Sequence, residues 1–195
     1  VIYLARHGRT PYNHEGRFQG QGDVPLDETG LRQAQELAEN AAPYGFVALY
    51  ASPLRRARQT AEAVAARTGL EIVFDDRLME THTGDWTDRS FEEIRAEDAA
   101  GFDAWATGDE EFAFPGGESF QQQGDRVMEA IAEIERGPQP ALIVCHGVTA
   151  RMALARRRGE RGPIRAGLAN GALVPLDGDP EAAEEPPSAT ETAAS

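Results

Sequence analysis

The pattern that most constrains this chain is an apolar run that stops at His-Gly, and it occurs twice. The first copy is Val1-Ile2-Tyr3-Leu4-Ala5-Arg6-His7-Gly8, and the second is Ala141-Leu142-Ile143-Val144-Cys145-His146-Gly147. A short, unbroken apolar run without alternation suits a strand buried on both faces, as in a parallel sheet with helices above and below. In open sheets of that kind ligands bind just beyond the carboxyl ends of the strands, so both His-Gly pairs are expected at one crevice. Arg6 can hold an anion bidentately, His7 is neutral and nucleophilic near pH 7, and Gly8 lets the backbone turn and approach closely. That set suits phosphoryl chemistry. A histidine at a strand end is equally at home in a structural role, so the rest of the chain has to decide.

Between the two copies, helical and strand periodicities alternate. Residues 8–26 read as a long functional loop. Asp27 offers an N-cap to a helix with Leu31, Ala34, Leu37, Ala38 and Ala41 on one face, up to the break at Pro43. A strand is expected over 46–51, a helix opened by Ser52-Pro53 and closed by Gly69, and a strand over 70–74. Residues 75–118 are the least regular and read as a lid or specificity insert, with a helix over 91–99. Phe120, Gly124, Val127, Ile131 and Ile134 mark a helix face that ends at Gly137-Pro138. After the strand 141–145 come a helix over 148–158 and an edge strand within 168–176, where Pro175 is tolerated. Residues 177–195 read as an acidic, disordered tail. The expectation is one α/β domain over 1–176, a three-layer α/β/α arrangement around a mostly parallel sheet.

All 19 basic residues are arginine, and the absence of lysine excludes a Walker-type P-loop and Schiff-base chemistry. The net charge of -14 argues against nucleic-acid and anionic-membrane partners, and any phosphate site must be a local positive pocket in a negative field. The lone cysteine, Cys145, permits no internal disulfide and favours a reducing compartment; a core role is expected for it. No run reaches the length of a membrane span, so a cytoplasmic protein is expected. The oligomeric state is left open.

Five ordered motifs, spanning residues 1–176, make the chain resemble the histidine phosphatase superfamily, the phosphoglycerate mutase-like proteins. Arg6-His7-Gly8 with Thr10 and Asn13 is similar to its opening motif. Ser52, Leu54, Arg56 and Ala57 fit the second, which selects Arg56 rather than Arg55. Glu80 with Gly84 and Trp86, Pro115-Gly116-Gly117-Glu118-Ser119, and His146-Gly147 through Arg151 supply the rest.

The resemblance implies a metal-independent phosphatase without a cofactor, acting on a small phosphorylated metabolite. His7 would attack phosphorus to form a phosphohistidine. Arg6, Arg56 and His146 would surround the phosphoryl oxygens, and Glu80 would protonate the leaving oxygen. Asn13, Gly8, Thr10, Gln19, Gly20 and Gly147 complete the expected substrate-binding set, Gly8 also orienting His7 through its carbonyl. His82 is a rival acid, His14 is expected in solvent, and Trp86 and Trp105 are expected to pack. Two departures count: Asp88 stands where the family often has a small glycine, and the chain lacks the lysines and long insertions of true mutases. Hydrolysis is therefore preferred over the two alternatives, a cofactor-dependent phosphoglycerate mutase and a non-catalytic phosphate-binding protein.

Overall fold

The structure is a computed structural model that describes residues 1–163 and 167–177. Its five strands are β1 (Ile2–Arg6), β2 (Ala48–Ala51), β3 (Ile72–Phe74), β4 (Ala141–Cys145) and β5 (Leu173–Pro175), ordered β3-β2-β4-β1-β5. Every pairing is parallel except that of β5, which runs antiparallel to β1 at the edge. β4 lies at the centre and all of it is buried, which is why it shows no polar alternation.

The pleat divides the core in two. Ile2, Leu4, Ile143 and Cys145 point to one face, against Val127 and Ile131 of α6 (Phe120–Ile134) and Leu154 of α7 (Gly147–Arg157). Ala5, Leu142 and Val144 point to the other face. There they meet Leu37 and Ala38 of α2 (Glu28–Ala41) and Ala61 and Val64 of α3 (Arg55–Thr68). Each Leu or Ile so buried contributes about 1.5–3 kcal/mol. Three further helices are α1 (Pro11–Glu15), α4 (Phe91–Glu97) and α5 (Ala99–Thr107). Among the described residues no helix is long and apolar enough to cross a membrane.

Register sets the site. Arg6 lies beside Cys145 and Ala51 beside Val144, so β1, β2 and β4 deliver their next residues, His7, Ser52 and His146, to the same sheet edge. The His7 N–H still reaches the Cys145 carbonyl at 3.0 Å, and that of Ser52 the Val144 carbonyl at 3.0 Å.

Several elements differ from expectation. The loop 8–26 contains α1, which opens with Thr10 as a capping-box residue and Pro11 in its first turn. α3 starts at Arg55 with Leu54 before it, and Ser52 does not cap it. The expected helix 91–99 breaks at Asp98, whose side chain accepts from the Gly101 N–H at 2.9 Å and starts α5. The strands β2, β3 and β5 are each shorter than expected; ahead of β5, Gly171 and Ala172 still bond to the Arg6 backbone, each at 3.0 Å, while Leu168 and Ala169 line the cavity over the site. The expected tail falls outside the described residues except for Asp177, which pairs with Arg157 at 2.8 Å.

The insert 75–118 is anchored by an aromatic cluster. Phe18 meets Phe91 at 4.7 Å, Trp105 at 4.8 Å and Trp86 at 5.1 Å between ring centroids, and Trp86 is buried as expected. Asp88 has φ 68, the one positive-φ residue other than glycine among those described, so it takes the left-handed turn itself. The turn is kept because the Asp88 N–H donates to the Phe18 carbonyl and the Phe18 N–H to that of Arg89, both at 2.9 Å.

The loop leaving β1 is pinned by glycine against glycine. A Cβ on Gly8 would lie 2.3 Å from the Gly30 carbonyl oxygen, and one on Gly30 would lie 2.0 Å from that of Arg9. Gly30→Ala therefore has to push backbone away from backbone, at about 1–3 kcal/mol. Thermal unfolding should show a clear drop in Tm, and an unchanged Tm would contradict this packing.

Candidate active site

At the shared strand edge, His7 is buried, and its Nδ1 lies 2.6 Å from the Gly8 carbonyl oxygen. A carbonyl can only accept, so Nδ1 carries the hydrogen and Nε2 keeps the lone pair. His146 packs beside it with ring centroids 5.2 Å apart. Arg56, 1% exposed, donates to the carbonyls of Gly20 at 2.7 Å and Gly22 at 3.0 Å. Arg6 donates to the Leu168 carbonyl. Arg55 and Arg58 stay out of the site: the first is half exposed near Asp23 and the second stacks over Phe74.

Among the described residues, three buried side-chain polar atoms have no hydrogen-bond partner: Arg6 Nε, Arg56 Nε and His146 Nδ1. Native interiors pair nearly all such groups, because each one left unpaired costs about 1–3 kcal/mol. All three belong to the residues expected to surround a phosphoryl group.

Glu80 is held from one side. Its Oε1 accepts from Thr81 N (3.0 Å), Gln123 Nε2 (3.1 Å), Thr149 N (3.2 Å) and Thr149 Oγ1 (3.1 Å). Among the described residues its Oε2 accepts from the Val148 N–H, at 3.1 Å. Val148 and Thr149 lie in the first turn of α7, where free N–H groups and the helix dipole favour a carboxylate. Gln123 is fully buried and its amide is oriented by the Thr81 hydroxyl, 2.6 Å from Oε1. Arg126 fixes the backbone, donating to the carbonyls of Arg77, Met79 and Glu80.

A cavity of about 530 Å³ opens over these groups, lined by Arg6, His7, Arg56, Glu80, Asn13, Gln19, Gly20 and Gly147. His146 lies wholly buried behind that lining. Two expected contacts are corrected. Thr10 is fully buried as the α1 cap and bonds to Gln19 at 2.7 Å, so it supports the lining without joining it. The Gly8 N–H is spent on Thr60 Oγ1 at 3.1 Å, so Gly8 acts on His7 through its carbonyl only. His82 is exposed outside this cavity, with its Nδ1 accepting from the Gly84 N–H, whereas Glu80 lines it. His14 is exposed, as expected.

The structure adds residues that sequence reasoning missed. Arg151 lines the cavity one helical turn after Gly147, a spacing of four that was available as a signal. Asn170 donates to the His7 carbonyl at 3.0 Å, and Thr81, Gln123 and Thr149 surround Glu80; no local pattern marks these. Phe91, Trp105 and Phe114 wall the outer cavity. No group of three or more His, Cys, Asp or Glu among the described residues is placed to hold a metal ion.

Residues 2–184 match the family model described as histidine phosphatase superfamily (branch 1). A Salmonella paratyphi B protein named probable phosphoglycerate mutase GpmB is 38% identical over 150 residues, covering 75% of this chain and 69% of that one. A mycobacterial glucosyl-3-phosphoglycerate phosphatase, solved with VO3, superposes with a TM-score of 0.82 at 33% identity, covering 88% of this chain and 90% of the other. The alpha-ribazole phosphatase of Shigella flexneri gives a TM-score of 0.76 at 29% identity, with 88% and 87% covered.

The buried cations disfavour further positive charge. Burial, then Arg56 and Arg6, hold the His7 ring well below its ordinary 6.5, and burial with Arg56 and His7 nearby does the same for His146. Burial also brings Arg56 down to about 10, with Glu80 opposing the shift. In the unfolded chain both rings return to about 6.5. Below that pH the unfolded state binds protons that the native state refuses. The contribution of each ring is therefore complete above about pH 6.5 and is lost as pH falls, by up to about 1.4 kcal/mol per pH unit. Urea unfolding at pH 7.5, 6.5 and 5.5 should show this decline, and His7→Gln should make it shallower. A stability that stayed flat or rose on acidification would refute the neutral, buried pair.

Proposed function

The chain belongs to the histidine phosphatase superfamily, and on that premise we propose that it hydrolyses a small phosphomonoester through a phosphohistidine on His7, without a metal ion. The observation that carries this reading is the trio of buried polar atoms, unpartnered among the described residues, around a histidine whose Nε2 keeps its lone pair. In the first step Nε2 forms a bond to phosphorus while the ester P–O bond breaks, and the leaving oxygen takes its proton from Glu80. In the second, water attacks phosphorus, Glu80 takes its proton, and the N–P bond breaks to free phosphate. Arg6, Arg56 and His146 bind the phosphoryl oxygens and offset the charge of both transition states, the work a metal ion does elsewhere. Asn13 and Gln19 stand at the cavity wall as neutral donors to the same group.

Glu80 exchanges its proton through Oε2, because Oε1 is already crowded by donors. The cavity is roomier than phosphate alone requires, and Phe91, Trp105 and Phe114 offer apolar surface to the leaving group. The relatives named as phosphatases support hydrolysis, as does the lack of lysine. We place the activity on a phosphorylated metabolite in the cytoplasm. Cys145 takes no part: its buried thiol is pushed up to about 12.

Phosphate release from an aryl phosphate, in excess chelator, should fall more than about 10³-fold in His7→Ala. Substantial residual turnover would refute covalent catalysis by His7, and loss of wild-type activity in chelator would refute metal independence. Glu80→Gln should lower kcat for alkyl esters by roughly 10²–10⁴-fold and for activated aryl esters far less. Equal losses would remove Glu80 from the role of acid. Conversion of 3-phosphoglycerate to 2-phosphoglycerate without phosphate release, with 2,3-bisphosphoglycerate added, would make the protein a mutase.

A further inference from the structure

Ser52 directly follows β2 with its side chain fully buried, and the hydroxyl meets a histidine ring instead of capping α3. Its Oγ lies 2.7 Å from His146 Nε2, and the Leu54 N–H donates to the same oxygen at 3.3 Å. Two proton arrangements fit this pair. If Nε2 carries the ring hydrogen, Oγ accepts twice, and the hydroxyl hydrogen has no recorded acceptor among the described residues. Nδ1 would then hold a buried lone pair, which repels an anion. If the hydroxyl donates to Nε2, the neutral ring must carry its hydrogen on Nδ1. Only one group is then unsatisfied, and it is an N–H of the same kind as the unpartnered Nε–H groups of Arg6 and Arg56. The second arrangement leaves fewer buried groups unpaired and gives all three the same sign.

We infer that Ser52 is a positioning residue that fixes the tautomer of His146, turning a neutral imidazole into the third donor, through Nδ1–H, to the bound phosphoryl group. A neutral ring that nevertheless donates suits this site, where burial beside Arg56, His7, Arg126 and Arg6 opposes a further positive charge. The identity of the bound group rests on the phosphatase reading; the tautomer belongs to the free protein and can be measured without turnover.

The test uses the full chain with ¹⁵N-labelled histidine, free of ligand, near pH 7.5. The chain has four histidines, and His146 is assigned by its absence from the spectrum of His146→Gln. Two-bond ¹H–¹⁵N correlations should show Nδ1 of His146 protonated and Nε2 bare. A protonated Nε2 would overturn the proposal, and this readout stands even if a Ser52 variant fails to fold. Ser52→Ala should move the ring to the Nε2–H form and weaken binding of orthovanadate and inorganic phosphate by about ten- to a hundredfold. Ser52→Thr, which keeps a hydroxyl, should restore the Nδ1–H signature. An unchanged tautomer in Ser52→Ala, or a changed tautomer with unchanged anion affinity, would also overturn it. If wild-type protein with the expected tautomer binds neither anion, the phosphatase reading fails while the Ser52–His146 assignment stands.

Discussion

Three buried polar atoms, Arg6 Nε, Arg56 Nε and His146 Nδ1, have no partner among the described residues, and the rest of the structure has to sustain that cost. Arg6, Arg56 and His146 each keep one polar atom unpaired, at about 1–3 kcal/mol apiece. A flexible loop would relax until each found a carbonyl. Here they cannot relax, because Arg6 ends one central strand, His146 follows the other, and Arg56 is tied to the carbonyls of Gly20 and Gly22. The apolar contacts that hold β4 between two helical layers thereby hold the donors in place. A preorganised site of this kind needs no reorganisation when charge develops on phosphorus, which is where electrostatic catalysis gains most.

Glu80 follows a different logic. It comes from an irregular segment, and its place is set by long-range bonds to α6 and α7 through Gln123, Val148 and Thr149. Those bonds are unequal: one carboxylate oxygen is crowded and the other nearly free. The helix that presents His146 at its start also holds the carboxylate with its first-turn N–H groups. One rigid element thus sets the distance between His146 and the Glu80 carboxylate.

Legibility in the sequence divides along the same line. The central strands and the paired His-Gly ends could be read because they are local patterns, unbroken apolar runs with a polar stop; Arg56 could be told from its neighbours by the family motif that Ser52, Leu54, Arg56 and Ala57 resemble. The short α1 also had a visible signal in Thr10-Pro11, outweighed by its polar surroundings. Ser52 shows the limit. Its neighbour Pro53 made it look like a helix cap, and its actual partner lies 94 residues away, across the β2–β4 pairing. Gln123 and Asn170 are the same case: side-chain bonds between distant elements leave no periodicity behind. Asp88 was flagged as a departure from a family glycine, yet the backbone bonds on either side of it keep the glycine-like turn.

The charge of the whole chain bears on how such a site turns over. With a net charge of -14, the protein repels free phosphate near its surface, a repulsion screened over about a Debye length, roughly 8 Å in physiological salt, while the buried arginines act at contact. Binding therefore depends on contact with the three buried donors and owes little to steering. The same field favours departure of the product once its bonds to the cradle are exchanged for water. A cradle strong enough to stabilise a pentacoordinate phosphorus would otherwise hold inorganic phosphate tightly. An acidic exterior around a small basic interior separates the two demands, since the transition state gains from the cradle at contact and the released product meets repulsion within the screening length of the surface.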